Sequence, residues 1–187
     1  IQLLYNLSQD NTNFTQKMLI RRATEGDIKS IMAIVRSAQL ALSELGIDQW
    51  QNGYPSTEVI KQDIDCGVGY VACVNDGKVV GYEAVVLTGE EAYTQIADEK
   101  WHTSNNYVVV HRLCVLSDVR RSGIAIKLMR YAEEHALKHG IRDFRIDTHE
   151  GNIRMLAMLK KLGFEHVGTI RYDSGLREAF DIKFNKK

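Results

Sequence analysis

The pattern of apolar and polar positions begins with a short strand and an amphipathic helix. Residues 18–23 have the alternation of a strand. Thr24, three residues before Asp27, resembles a capping box and predicts a helix start. Residues 56–65 predict a second, short helix. The first helix carries its apolar residues at helical spacing, at Ile28, Ile31, Met32, Val35 and Ala38.

The period changes to two in the middle of the chain. Residues 68–74 and 78–87 are rich in β-branched side chains and flank an Asn-Asp-Gly sequence at 75–77, which predicts an antiparallel hairpin. Residues 89–104 are polar and predict a loop with a helical turn. Residues 107–115 form the most continuous apolar run, so we expect a central strand that is covered on both faces.

The C-terminal part alternates between helix and strand. An apolar stripe predicts a helix that begins after residue 122 and ends at Gly140, and a second helix follows Asn152. Strands are predicted at residues 144–148, 165–171 and 176–184. The connection that follows the central strand crosses over to a parallel neighbour, whereas hairpins lie on either side. The pattern therefore predicts one mixed α/β sheet.

Composition and charge narrow the class of protein. The chain has 187 residues, and Lys+Arg 24 against Asp+Glu 24 leaves no net charge to attract nucleic acid. No apolar stretch approaches the length of a membrane span, and no secretory signal begins the chain, so we expect a cytoplasmic protein without a membrane partner. Three cysteines without close spacing predict reduced thiols and no metal site, at Cys66, Cys73 and Cys114.

A single domain is expected at this length. Residues 1–17 are rich in Asn, Gln, Ser and Thr, and the apolar pattern begins only at Met18. We therefore expect a flexible N-terminal extension or leader over residues 1–17 and one domain over residues 18–187.

The segment that carries chemistry lies between the central strand and the next helix. A helix N-terminus presents unpaired N–H groups and partial positive charge to an anion. Gly123 would let the backbone approach a phosphate, and Arg120 and Arg121 would add charge. The segment is neither a Walker loop nor a dinucleotide fingerprint, because their glycines and lysine are missing. A tight turn with two solvated arginines is the alternative.

The same residues resemble the acetyl-coenzyme A motif of the GNAT family of N-acetyltransferases, [RQ]-x-x-G-x-[GA], with Arg120, Gly123 and Ala125 in register. The second family motif is similar to Asn152 followed by residues 162–164, and the element order agrees over about nine tenths of the chain. The resemblance implies a mixed, mostly antiparallel sheet of six to seven strands flanked by about four helices.

The resemblance also implies a cofactor site and a reaction. Acetyl-coenzyme A is the implied co-substrate, the pantetheine arm lies along the central strand, and the pyrophosphate binds at the helix start. Asn152 is explained equally well as a helix cap. The implied contacts are Leu113, Cys114, Val115, Arg120, Arg121, Ser122, Gly123, Ile124, Ala125, Ile126 and Asn152.

The implied reaction is direct attack of a neutral primary amine, of a small molecule or peptide, on the thioester. A lysine-like amine with a pKa of about 10.4 is free only to about one part in a few thousand at pH 7, so it needs a base. His111 is the first candidate, since an imidazole suits proton transfer at neutral pH, and a hydrogen-bonded strand histidine is the alternative. Glu83 is the second candidate base, and the alternative is that it is simply an exposed carboxylate at the edge of the sheet. Strand alternation places His111 in phase with Leu113 and Val115 and turns Cys114 to the opposite face.

The chain departs from the family at one position, because Leu159 stands where a tyrosine usually acts as general acid. Tyr172 or Tyr131 is the expected replacement.

The loop after the first helix shapes the acceptor pocket in the family. The resemblance therefore implies acceptor contacts for Gln49, Trp50 and Tyr54, and simple packing of the loop is the alternative. A non-catalytic acyl-coenzyme A binder is the rival function. A homodimer is left open.

Overall fold

The computed structural model describes residues 3–7, 16–75, 77–97, 100–103, 106–119 and 122–184. Four helices pack on one sheet: α1 (Ile28–Ser43), α2 (Thr57–Asp65), α3 (Ile124–Lys138) and α4 (Ile153–Leu162). The strands are β1 (Leu3–Leu7), β2 (Gln16–Arg22), β3 (Gly69–Val74), β4 (Lys78–Val86), β5 (Tyr107–Val115), β6 (Asp143–Thr148), β7 (Glu165–Tyr172) and β8 (Gly175–Lys183). Short 3₁₀ turns lie at Glu25–Asp27, Glu91–Gln95 and Ser117–Val119.

The predicted mixed α/β sheet is confirmed. Its strand order is β1-β2-β3-β4-β5-β6-β8-β7, and every neighbouring pair is antiparallel except β5 with β6. The described sheet has eight strands where six to seven were predicted. The additional strand, β1, lies within residues 1–17, which were expected to form an extension, and pairs with β2 through its backbone. The division of the chain at residue 18 stays a prediction.

Alternation along each strand gives the sheet two apolar faces. Ala72 packs in the cluster that contains α3 and α4, whereas Val71 and Cys73 on either side of it pack with α1 and α2. The central strand β5 is covered on both faces, as its continuous apolar run predicts: Val108 and Val109 are both completely buried. The helices therefore form a layer on each side of the sheet.

The sheet divides where its two parallel strands leave each other. The ladder between β5 and β6 joins only Tyr107–Val109 to Asp143–Arg145, and no further pair between these two strands follows. β6 continues beside β8 as far as Thr148, and β5 continues beside β4 as far as Val115. Ligands of α/β sheets bind at the carboxyl ends of parallel strands, so this split is the place to look for a site.

None of the described helices combines the length and the apolar composition that a bilayer crossing requires.

Candidate active site

A cleft of about 870 Å³ opens at the split between β5 and β6. Its walls come from the end of α1, the loop that follows α1, the second half of β5, the end of β6, the first turns of α3 and α4, and the turn between β7 and β8. Most of the residues predicted to act are therefore brought to one place, although they are far apart in the sequence. The lining includes Gln49, Trp50, Tyr54, His111, Leu113, Cys114, Val115, Ala125, Asn152 and Tyr172.

A bulge in β5 sets which side chains share a face. Tyr82 and Ala84 are two residues apart on β4, but their partners Cys114 and His111 are three apart on β5. Arg112 takes up the additional residue with a φ of 55°, an unusual conformation for a residue other than glycine. The predicted phase is therefore wrong, because Cys114 lies on the same face as His111. Leu113 and Val115 pack toward the cluster of α3 on the opposite face.

The N-terminus of α3 lies at the cleft and is open to an anion. Gly123 is the N-cap with a φ of 80°, and a Cβ added to it would meet no atom of the described residues within 4 Å apart from its chain neighbours. The N–H groups of Ile124, Ala125 and Ile126 belong to the first turn and have no acceptor within the helix. Among the described residues, no side chain caps this end. Ser122 instead donates its hydroxyl to the carbonyl oxygen of Val119. These features fit the predicted pyrophosphate seat. Arg120 and Arg121 lie outside the described residues.

The backbone of β5 beyond the split fits an extended ligand. On its β6 side the ladder ends at Val109, so the peptide groups of Leu113, Cys114 and Val115 have no partner on that strand. A ligand chain can hydrogen-bond there as an added strand would. Asn152 caps α4 by accepting the N–H of Met155 at 3.2 Å, and it also lines the cleft. The capping alternative is thus confirmed, and a contact with cofactor remains compatible with it.

His111 is paired with a carboxylate in the cleft. Its Nε2 lies 3.1 Å from Oε2 of Glu90, and both side chains are about one quarter exposed. The other oxygen of Glu90 accepts the N–H of Ala92 at 3.2 Å at the start of the 3₁₀ turn. The hydrogen bond with His111 lowers the pKa of Glu90, although burial opposes this. The pair therefore consists of an ionised carboxylate and a ring with one nitrogen engaged.

A second carboxylate faces the cleft from β6. Oδ2 of Asp147 accepts the hydroxyls of Tyr93 at 2.9 Å and of Tyr172 at 3.0 Å. Burial raises the pKa of Asp147 and also raises the pKa of Tyr172. Tyr172 lines the cleft as expected. Its hydroxyl, however, is already hydrogen-bonded to Asp147, and its raised pKa means that it ionises less readily than a free phenol. These contacts argue against the predicted role of Tyr172 as general acid.

The other positions considered for a general acid lie in the core. Leu159 is completely buried, and Tyr131 is 3% exposed and packs on Tyr70 with ring centroids 5.0 Å apart. Neither side chain lines the cleft. Neither Leu159 nor Tyr131 is therefore placed to protonate a leaving group in the cleft.

Glu83 does not lie where its predicted role requires. It is not among the residues that line the cleft, and it is completely buried rather than exposed at a sheet edge. Neither carboxylate oxygen has a hydrogen-bond partner within the described part of the protein. Burial raises the pKa of Glu83 well above its usual range. Because Glu83 follows Tyr82, whose face carries His111, alternation turns its side chain toward the opposite face.

Replacing Glu83 is expected to stabilise the protein, and more so at alkaline pH. A group whose folded-state pKa is raised loses its contribution to stability as pH rises through that pKa. Glu83→Met should therefore raise the free energy of unfolding by about 1–3 kcal/mol at pH 8 and by less at pH 5. Urea unfolding at both pH values measures this gain. Glu165→Met, at a carboxylate whose side chain is 73% exposed, is the control. An equal gain in stability at both pH values would contradict the raised pKa of Glu83.

Arg112 at the bulge is bonded to α2 and to the loop that follows α1. The guanidinium of Arg112 donates to both oxygens of Asp63 at 2.7–2.8 Å and to the hydroxyl of Tyr54 at 2.7 Å. Tyr82 donates its hydroxyl to the same carboxylate. Gln39 of α1 donates to the carbonyl oxygens of Trp50 and Tyr54, both at 3.0 Å. The three predicted acceptor residues line the cleft, and these hydrogen bonds also hold Trp50 and Tyr54 in place.

Sequence reasoning missed Glu90 and Asp147. Glu90 lies in the polar stretch after the hairpin, where one carboxylate looks like any other. Asp147 carried a usable signal, because it is a charged residue near the carboxyl end of a strand that the pattern makes parallel to its neighbour.

The chain is similar to known acetyltransferases of one family. A sequence profile described as Acetyltransferase (GNAT) family matches residues 28–164. An acetyltransferase of the GNAT family from Streptococcus agalactiae is 35% identical, with 91% of this chain and 96% of that chain covered and a TM-score of 0.81. The PaiA N-acetyltransferase of Thermoplasma acidophilum, solved in complex with coenzyme A, shares the fold at 17% identity, with a TM-score of 0.68 over 89% of this chain and 99% of that chain.

A curated relative points in the same direction. GCN5-related N-acetyltransferase 6, chloroplastic, from Arabidopsis thaliana is 34% identical over 71 residues, which are 38% of this chain. The match spans about a quarter of that relative's length (25%). The profile covers well over half of the chain, and family membership supports acyl-coenzyme A-dependent acetyl transfer in general. The chain therefore belongs to the GNAT family of acetyltransferases.

Proposed function

We propose that the protein transfers an acetyl group from acetyl-coenzyme A to a primary amine of a small molecule or peptide, by direct attack in the β5–β6 split. The observation that carries the proposal is the position of the His111–Glu90 pair, which lies in the same cleft as Ala125 of the first turn of α3 and the part of β5 that has no partner on β6.

The chain's residues divide into a cofactor half and an acceptor half. The N–H groups of residues 124–126 would hold the pyrophosphate, and the peptide groups of residues 113–115 would hold the pantetheine arm. Bound acetyl-coenzyme A supplies the acetyl thioester. An N–H group of β5 beside it would stabilise the negative charge that develops on the carbonyl oxygen. The acceptor half holds Glu90 and Asp147, and the cleft is also lined by Arg112, Arg154 and Arg177, so charges of both signs surround the site.

His111 is the proposed base. An amine with a pKa of about 10.4 is almost fully protonated at neutral pH, whereas an α-amine with a pKa near 8 is roughly one tenth free. His111 lines the cleft and can remove the proton as the amine attacks. The leaving thiol has a pKa of about 8.5 by analogy with cysteine, so its departure needs little help from an acid.

Cys114 is not expected to carry the acetyl group, even though the bulge places it on the face of His111. It is 5% exposed, and burial raises the pKa of its thiol to about 12, so the reactive thiolate is scarce. Cys114→Ser should therefore keep kcat within about threefold of the unaltered protein. Steady-state kinetics measure this, and mass spectrometry of the enzyme incubated with acetyl-coenzyme A should show no acetylated protein. Loss of activity together with a trapped acetyl-enzyme would contradict direct transfer.

Release of free thiol from acetyl-coenzyme A, measured against a panel of amines, tests the proposed function. Amine-dependent release, matched by an equal amount of acetylated amine, is the expected result. Binding of acetyl-coenzyme A without release for any amine would support the non-catalytic alternative. A cytoplasmic location and a homodimer stay predictions, which cell fractionation and light scattering would test.

A further inference from the structure

Glu90 has no role in the sequence pattern or in the family motif, yet it makes the most direct polar contact with His111. The two residues are brought together by different elements, since Glu90 precedes the 3₁₀ turn Glu91–Gln95 and His111 lies on β5. The Glu90 carboxylate is held from two sides, by the N–H of Ala92 at 3.2 Å and by Nε2 of His111 at 3.1 Å. Its orientation is therefore fixed before any acceptor enters.

The contact with Glu90 determines which ring nitrogen of His111 is available to accept a proton. A carboxylate accepts hydrogen bonds, so the Nε2 that faces Glu90 carries a proton, and the neutral ring then has its lone pair on Nδ1. Asp147 and Tyr172, which bond each other, and Arg112, which is paired with Asp63, also line the cleft. The remaining charged or titratable groups of the lining are Asp48, Tyr54, Cys114, Arg154, Asp173 and Arg177. Glu90 is the carboxylate that bonds His111.

We propose that Glu90 is a positioning residue of the acetyl transfer, which keeps the lone pair of His111 on Nδ1 and stabilises the imidazolium that forms. This inference rests on the proposed function. The amine lone pair forms the new C–N bond, the C–S bond breaks, and its electron pair leaves on the thiolate. The proton lost by the amine nitrogen moves to Nδ1 of His111 and passes to solvent or to the thiolate afterwards.

A double-mutant cycle tests the coupling. Glu90→Gln keeps an oxygen for the N–H of Ala92 but removes the charge, and it should lower kcat roughly 10- to 100-fold with the KM for acetyl-coenzyme A within twofold. In the His111→Ala background the same change should alter kcat by less than about twofold. Glu91→Gln, at the exposed neighbour in the same turn, is the control and should leave kcat unchanged. An equal loss in both backgrounds would mean that Glu90 has a structural role alone.

A readout that does not depend on activity separates this inference from the proposed function. The ¹⁵N shifts of the histidine rings, assigned with His111→Ala, should show His111 protonated at Nε2 and unprotonated at Nδ1, and Glu90→Gln should produce a mixture of tautomers. A proton on Nδ1, or a spectrum unchanged by Glu90→Gln, overturns the inference. If the tautomer is as expected but no amine supports thiol release, the proposed function is wrong while the pairing inferred for Glu90 and His111 is still supported.

Discussion

His111→Ala is expected to lower the rate of acetyl transfer to a lysine-like amine about 10²-fold or more at neutral pH. Without His111, attack depends on the fraction of the amine that is already neutral, and this fraction rises about tenfold for each pH unit below the amine pKa. The loss should therefore shrink as pH rises toward the amine pKa. The measurement is kcat/KM from pH 6.5 to 9.5 with two acceptors, one with a pKa near 10 and one near 8.

The two acceptors provide an internal comparison, because an amine with a pKa near 8 is partly neutral already and should lose less activity. His166→Ala, at a half-exposed histidine on β7 that does not line the cleft, is the matched control and should have no effect on kcat. The affinity for acetyl-coenzyme A should remain within about twofold in both variants, since neither side chain is expected to hold the cofactor. A pH-independent loss for both amines would exclude His111 as the base.

Gly123→Val is expected to weaken binding of coenzyme A by about tenfold to a hundredfold, equivalent to about 1.4–2.8 kcal/mol. A Cβ at position 123 meets no atom of the described residues within 4 Å apart from its chain neighbours, and we expect the valine side chain to occupy space proposed for the pyrophosphate. Valine at a φ of 80° also strains the backbone. The design must therefore separate strain from obstruction.

Gly140→Val supplies that separation. Gly140 follows the other end of α3 with a φ of 76°, and a Cβ there also meets no atom within 4 Å. Both variants should lose about 1–3 kcal/mol of stability from the strained backbone. Only Gly123→Val should lose affinity for coenzyme A in calorimetry, and its KM for acetylpantetheine, which lacks the diphosphate, should stay near that of the unaltered protein. Equal affinity of the two variants for coenzyme A would exclude the N-terminus of α3 as the anion seat.

The elements could be predicted because their signals are local. Helix α1 begins one turn after Thr24, where Asp27 accepts the N–H of Thr24 at 2.8 Å, and the hairpin of β3 and β4 follows from its turn residues. Asp76 of that turn lies outside the described residues. Each of these features depends on neighbours within a few residues, which the periodicity of a single sequence records.

The geometry of the site depends on features without a local signal. The bulge occurs at Arg112, an arginine at positive φ, and nothing in the apolar run around it marks the additional residue. The side chains beyond it therefore exchange faces, which reversed the predicted orientation of Cys114. Glu83 was misplaced for a related reason, because a lone carboxylate on a strand is ordinarily exposed and only the packed sheet shows that it is buried.

The carboxylates of the acceptor half could not be paired with their partners from sequence. Glu90 and His111 are 21 residues apart, and Asp147 meets Tyr93 and Tyr172 from elements that are joined only by the fold. The cofactor half was easier, since its strand, glycine turn and helix are consecutive. Consecutive residues can form a recognisable motif, whereas a pocket assembled from several separate elements cannot.

A crystal structure of the protein with coenzyme A tests the central claim most directly. The diphosphate is expected within about 3 Å of the N–H groups of residues 124–126. The pantetheine arm should run along residues 113–115, and the sulfur should end beside His111. A diphosphate bound elsewhere while the turn at Gly123 stays empty, or a sulfur that points away from His111, would contradict the account.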